Sequence, residues 1–366
     1  MFMTEREQQI LRLIKSDPLI PQQVLADQLG LSRSAVAGHI MNLTKKGYIQ
    51  GKGYIIAPDR YAVVVGGANM DLCGRADNQL VDGDSNPGTL TSSPGGVGRN
   101  IAENLARLGS QVQFIGALGD DRWGDELKAC CRKAGVAVDH CLTIPGATSS
   151  SYLSIHGPDG EMHMALNDMK LIERLDSQSL AEREGVLARA SALILDANLS
   201  ENALDYLFNV ADEHCIMVDP VSSVKAGKLI PYLDKVHTLK PNRLEAELLS
   251  GVPIHSEADL MKAATTLHEK GVKRLLISLG SDGALSSDGD SFERLSAKAT
   301  QVNNVTGAGD ALMAGLAHSY LKGETWAHSV HFALSAARLA VMSEQTINAI
   351  MSEHAVNRLL EESSPC

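Results

Sequence analysis

No apolar run in the sequence approaches the roughly 20 residues that a membrane-spanning helix needs, so a membrane protein is not expected. The first residues, Met1 to Lys15, are charged and periodic and lack the apolar core of a secretory signal. The six cysteines show no CxxC spacing and no metal-ligand pattern. They fit a reducing cytoplasm, the expected location, better than a disulfide framework. The glycine-rich stretch Pro94-Gly95-Gly96-Val97-Gly98-Arg99-Asn100 has no Gly-Lys-Ser/Thr, which counts against a Walker-type nucleotidase. It also lacks Gly-x-Gly-x-x-Gly directly after a strand, which counts against a dinucleotide fold.

What is present is length and an uneven charge. The chain's 366 residues have room for one large α/β domain and a small extra one. Of the net charge of −11, residues 1–60 carry eight Lys/Arg against five Asp/Glu, and the remainder 25 against 39. Any nucleic acid would therefore be met by the N-terminal segment alone. There, Thr4 with Glu7 marks a helix start ahead of Ile10, Leu11, Leu13 and Ile14. Asp17-Pro18 ends that helix, Gln22 to Leu29 forms a second closed by Gly30, and Ser32 caps a third over Arg33–Lys45. Gly47 to Ile56 reads as a short β-hairpin. This pattern resembles a winged helix-turn-helix domain, expected over residues 1–59. The resemblance implies a helix in the major groove with Arg33, Ser34 and His39 at the bases and Lys45, Lys46 and Lys52 at phosphates. A small trihelical docking module is the alternative.

From Tyr61 the pattern becomes strand–helix repeats, which predict a doubly wound, mainly parallel sheet. Tyr61–Val65 is a buried strand closed by Gly66-Gly67, and Asn69 and Asp71 follow where ligands bind in such sheets. Asp71 would grip sugar hydroxyls on a functional reading, although on local grounds alone an Asx turn is the favoured explanation. Two runs, 150–155 and 161–166, flank His156–Gly160 as a hairpin, with Asn167 at its end. This hairpin is expected to be a lid or a dimer-forming sheet, with lid segments at about 72–93 and 141–168. Near the C-terminus, Gly307-Ala308-Gly309-Asp310 opens an apolar helix. Glycines there let the backbone approach a ligand closely, and the first helical N–H groups and the helix dipole favour an anion. Asp310 beside such an anion could accept a proton from an attacking hydroxyl; a plain glycine-rich turn is the bland alternative.

The two glycine motifs together resemble the PfkB, or ribokinase-like, carbohydrate and nucleoside kinases over roughly residues 60–366. In that family the first motif, here Gly95, Gly96 and Asn100, binds the sugar. The second, here Gly307, Ala308, Gly309 and Asp310, supplies the anion hole and the catalytic base. The resemblance further implies ATP contacts at Asn242, Ser278, Gly280, Ser281, Gly283, Gly307, Gly309 and Asn348. It also implies magnesium held through water by Glu245 of Asn242-x-x-Glu245. Asn304 stands where an Asp is common near a monovalent-cation site, which leaves potassium activation open. Four runs look like the bacterial pseudouridine kinases of this family: Ser85-Asn86-Pro87-Gly88, Leu166-Asn167-Asp168-Met169, Val218–Ser222 and Thr238–Glu247. They imply ATP-dependent phosphorylation of the 5′-hydroxyl of pseudouridine, with Ser85, Asn86 and Asn167 added to the substrate contacts. Other nucleoside or sugar acceptors, such as ribose, inosine or a fructose derivative, remain open. So does a transcription regulator that uses the kinase fold as a nucleoside sensor. A homodimer is expected.

Overall fold

The computed structural model describes residues 3–50, 60–210, 214–298 and 300–362. At the N-terminus Thr4 and Glu7 form a reciprocal capping box that opens α1 (Glu5–Ser16). Gly30, left-handed at φ 64°, closes α2 (Gln22–Leu29), and the Ser32 hydroxyl accepts the Ala35 N–H to start α3 (Arg33–Lys45). Ile10, Ile14, Leu25, Val36 and Leu43 are buried together as the core of this unit. The expected hairpin beyond Gln50, and Lys52 with it, lies outside the described residues.

The second unit begins with β1 (Ala62–Val65), β2 (Asn69–Ala76), β3 (Gly88–Gly95) and α4 (Val97–Arg107). Next come β4 (Val112–Ile115), β5 (Ala117–Gly119), α5 (Arg122–Lys133), β6 (Leu142–Ile144), β7 (Ser151–His156) and β8 (Met162–Asp168). Two short helices, α6 (Ser177–Ala181) and α7 (Glu184–Leu187), lead into β9 (Ala192–Asp196) and α8 (Glu201–Val210). The chain continues through β10 (Cys215–Asp219), α9 (Ser223–Ala226), β11 (Thr238–Leu239), α10 (Arg243–Ser250) and α11 (Glu257–Glu269). It finishes with β12 (Arg274–Ser278), β13 (Ala284–Ser287), β14 (Phe292–Leu295), α12 (Ala308–Lys322), α13 (Trp326–Val341) and α14 (Glu353–Glu361).

Eight strands form the main sheet in the order β14-β13-β12-β11-β10-β9-β1-β4. All its pairings from β4 to β12 are parallel, and the antiparallel β13 and β14 close one edge. Helices cover both faces, which is why β1, β9 and β10 are buried at every position and read as unbroken apolar runs. Alternate residues serve opposite cores: Val63 and Val65 face one, Ala62 and Val64 the other. Across the second core α12 packs so closely on α13 that a Cβ on Gly315 would lie 2.6 Å from the Ala333 Cα.

A separate four-stranded sheet, β3-β2-β7-β8, holds the segments expected to form a lid. Here the structure corrects the expected limits. Asn69 and Asp71 belong to the lid strand β2 itself, and the second lid segment starts at Ser151. Residues 142–144 instead pair with β5 as β6.

The two units touch where α3 ends. The Arg189 Nη1 donates to the Gly47 carbonyl at 2.7 Å, and its guanidinium lies 3.6 Å from the Tyr48 ring centroid. Gly185 fits directly against Lys45 and Gly47.

Candidate active site

Strand order reverses direction around β1, and the chain segments leaving the carboxyl ends of β1, β9, β10 and β11 converge on the start of α12, the usual ligand crevice of an open α/β sheet. Gly307 is the N-cap of α12 at φ 84°, a conformation that suits glycine, and no side chain caps this end. A Cβ there would meet the Thr346 carbonyl at 2.3 Å. The glycine therefore brings the helix start hard against the 343–348 segment and leaves the opening turn for an anion.

Asp310 lies in that first turn, 8% exposed. The Asn100 Nδ2 donates to its Oδ2 at 2.8 Å. Burial, with the Asp219 charge adding to it, pushes the Asp310 carboxyl up to about 7, against the opposing pull of Asn100 and of the Lys240 and Arg99 charges. A carboxylate poised near neutrality is suited to take and release a proton. Asn100 is itself held in one orientation: Arg99 donates to its Oδ1, to the Pro94 and Gly95 carbonyls and to Glu103. The amide thus presents its NH₂ to Asp310.

On the lid side the Asn69 Nδ2 donates to the Asp71 Oδ1 at 2.6 Å. A Cβ on Gly95 would lie 2.2 Å from the Asp71 Oδ2, and one on Gly96, at φ 99°, 2.6 Å from the Ala68 Cα. These glycines therefore allow the Ala68–Asp71 and Gly95–Gly96 segments to meet. Burial raises the Asp71 carboxyl, with Asn69 and Arg99 opposing. Register places Ser93, Asp71, Tyr152 and Asn167 in one row across the lid sheet, so Asn167 shares the face of Asp71. Ser85 and Asn86 are not brought there. They lie past the Ala76–Gly88 pair, at the opposite end of β2–β3 from Asn69–Gly95. Seven extended residues separate the two pairs, roughly 23 Å at strand rise. The Asn86 amide is turned back on Val81 and Asp84.

Asn242 and Glu245 form a reciprocal capping box on α10: Glu245 accepts from the Asn242 N–H and Nδ2, each at 2.8 Å. Burial raises the Glu245 carboxyl, and the neighbouring Asp219 adds to this. Asn242 pairs with Ser278 in a parallel bridge, bringing α10 beside the turn Gly280-Ser281-Asp282. Among the described residues nothing lies within 4 Å of a Cβ placed on Gly280, whereas one on Gly283 would strike the Leu295 carbonyl at 2.0 Å. Gly280 thus faces open space and Gly283 holds the turn. The Asn348 amide is engaged internally, donating to Leu339 and accepting from Ile350, so its side chain orders the 343–351 segment.

Sequence reasoning left several residues of this region without a role. The buried Lys240 pairs with Asp219 at 3.0 Å. Its Nζ would lie 3.0 Å from a Cβ on Gly309, so an ammonium stands beneath the opening turn of α12. Burial alone would lower that ammonium, but Asp219, with Glu245 and Asp310 behind it, carries it up. Val221 follows at φ 67°, rare for a β-branched residue, in a tight turn closed by the Ser222 N–H on the Pro220 carbonyl. A cavity of about 920 Å³ adjoins the site, bordered by Met169, Gln178, Asn198, Lys225 and Lys228. Asn198 reaches the Gly67 turn and accepts from the Lys225 Nζ. The position of Asn198 and Lys225 just after β9 and β10 was the available signal.

In the N-terminal unit Arg33, Ser34 and Lys45 are exposed and His39 is half-buried. Lys46 departs from expectation. Its ammonium is bound to the buried Glu7 carboxylate at 2.7 Å, so it braces α3 against α1 and is not turned toward a phosphate.

A model of the pfkB family of carbohydrate kinases matches residues 59–353, and a winged helix-turn-helix DNA-binding model matches residues 3–50. The chain is 43% identical over 340 residues to the uncharacterized sugar kinase YeiI of Escherichia coli, covering 92% of this chain and 94% of that protein. It is also 43% identical over 290 residues to the E. coli pseudouridine kinase, covering 79% and 92%. Arabidopsis thaliana ribokinase, solved with ribose and ATP, superposes with a TM-score of 0.72 over 83% of this chain and 99% of its own, at 22% identity, a likeness of fold.

Proposed function

The chain belongs to the pfkB family of carbohydrate kinases, and from that premise we propose that it transfers the γ-phosphoryl group of ATP to the 5′-hydroxyl of pseudouridine. One observation carries the catalytic part: Asp310, buried and pushed up to about 7, lies in the first turn of an uncapped helix and is held by Asn100. In this reading Asn69, Asp71, Asn100 and Asn167 fix the ribose so that its hydroxyl meets Asp310. The carboxylate takes the proton as the oxygen attacks phosphorus. The N–H groups of the Gly307–Asp310 turn and the Lys240 ammonium oppose the charge that develops on the transferred group.

Asn242, Ser278, Gly280 and Ser281 border the groove for the nucleotide. Magnesium fits the remaining donors only loosely. Among the described residues no cluster of three acidic, His or Cys ligands exists, and Glu245 is already bonded to Asn242. Glu245 would therefore hold the ion through water, where it would neutralise phosphate charge. The choice of pseudouridine is supported by the relative of that name and by the adjoining cavity. There the Asn198 amide and the Lys225 and Lys228 ammonium groups suit the carbonyl oxygens of a uracil-like base.

We assign the N-terminal unit a DNA-binding role, with the exposed Arg33, Ser34 and Lys45 on its recognition helix. A homodimer through the lid belongs to the same reading, because Met162, Met164 and Leu166 alternate on β8 and remain exposed. The deciding experiment is ADP release with ATP and magnesium against pseudouridine, uridine, inosine, ribose and fructose. Turnover selective for pseudouridine supports the assignment, and turnover selective for another acceptor overturns it.

A further inference from the structure

The start of α4 carries Asn100, yet its N-cap is Gly96 and no side chain of its own caps it. A carboxylate from another strand does so. Asp196, the last residue of β9, places its Oδ2 2.8 Å from the Gly98 N–H and 2.7 Å from the Gly67 N–H. Its Oδ1 accepts the Asn198 N–H at 2.9 Å. Asp196 is 1% exposed, and these three backbone N–H groups occupy its oxygens. The three segments it binds are those given substrate contacts above: the Gly67–Asp71 segment, the Gly96–Asn100 helix start and the Asn198 corner of the cavity. Two glycines are shaped around it, since a Cβ on Gly66 would lie 2.3 Å from its Oδ2 and one on Gly98 3.0 Å. A buried carboxylate held by backbone donors needs all of them, because each lost partner leaves charge uncompensated.

We propose that Asp196 is the positioning residue of the acceptor half of the site, fixing the three substrate-binding segments relative to one another through a single carboxylate. This rests on the kinase reading above but not on the identity of the acceptor. The nucleotide half is built on α10, β12 and α12, and these three hydrogen bonds of Asp196 all run to the acceptor half.

The test uses the full chain and whichever acceptor of the panel above the wild type phosphorylates, so a wrong nucleoside assignment leaves it intact. Calorimetric titration with pseudouridine and with a non-hydrolysable ATP analogue runs beside the kinetics and applies even without turnover. Asp196→Asn keeps the volume and one acceptor oxygen, enough for the Gly67 and Gly98 donors but not for Asn198. Asp196→Ala keeps neither oxygen. Expected is a graded rise in acceptor KM, or in pseudouridine Kd, of about tenfold for Asn and more for Ala, while the ATP values stay within about twofold. Gly98→Ala displaces the helix start without removing the carboxylate and gives the same one-sided shift should Asp196→Ala fail to fold. Equal shifts for both ligands overturn the proposal. So does a lower melting temperature with both constants unchanged, which is what a purely structural role produces.

Discussion

Replacing Asp310 by asparagine should remove activity and add stability, and the second effect can be calculated. The carboxyl stands at about 7 against an ordinary 3.8. At about 1.36 kcal/mol per pH unit, ionising it inside the folded protein costs roughly 4 kcal/mol more than in the unfolded chain. The sign follows from linkage. Between these two values the folded state keeps a proton that the unfolded state has released, so stability falls as pH rises from about 4 to about 7 and the cost is complete above that. The asparagine side chain in Asp310→Asn has no charge to desolvate, and its amide oxygen still accepts from Asn100. At about pH 8 the variant should therefore be more stable by about 4 kcal/mol. With an unfolding entropy of about 2.1 cal/mol/K per residue, this amounts to roughly 5 °C in Tm. The gain should shrink toward zero as pH approaches about 4. Turnover should fall about 10²–10⁴-fold, the usual worth of a positioned base. Calorimetric melts at about pH 4 and about pH 8, beside ADP release, measure both. A stability gain that is equal at the two pH values, or turnover within about tenfold of wild type, would refute the reasoning.

The remaining predictions concern neighbouring groups. In wild type, kcat/KM should rise with pH through about 7 as Asp310 ionises. Asn100→Ala should move that limb upward, because Asn100 favours the carboxylate form; an unmoved limb would assign it to another group. Glu245→Gln should raise the magnesium concentration needed for half-maximal turnover; an unchanged magnesium dependence would remove it from that role. Lys225→Met should raise the acceptor KM and leave that of ATP unchanged, since its ammonium reaches Asn198 and not the nucleotide groove. Arg189→Ala should leave kcat intact and speed amide exchange at Tyr48, because it removes a hydrogen bond and a cation–π contact worth about 0.5–2 kcal/mol. Unchanged exchange at Tyr48 would show that the units dock by other means.

What could be read from the sequence was what local chemistry encodes. The caps at Thr4 and Ser32, the glycine starts of α4 and α12, and Asp310 in the first turn of α12 all lie within a few residues of their signals. The motif Asn242-x-x-Glu245 forms a capping box, a structural use that its spacing already encodes. The misses depended on the third dimension. Lys46 counts as a surface charge until α1 folds back and brings Glu7 to it. Ser85 and Asn86 open a run of their own, but the extended strands β2 and β3 place it at the opposite end from Asn69 and Gly95. Asp196 and Asn198 stand at and just after the end of β9 and Lys240 just after β11, and only the order β11-β10-β9-β1 makes them neighbours of Gly67 and Gly309.

The contact between Gly47 and Gly185 has a consequence for modular reuse. A Cβ on Gly47, at φ 75°, would lie 2.1 Å from the Gly185 carbonyl, and one on Gly185 would lie 2.5 Å from the Lys45 carbonyl. Each unit thus carries half of one steric lock, and neither half can be exchanged alone. A chimera that grafts this N-terminal unit onto another kinase must transplant the 183–189 segment as well, or the graft will be tethered by its linker without being seated.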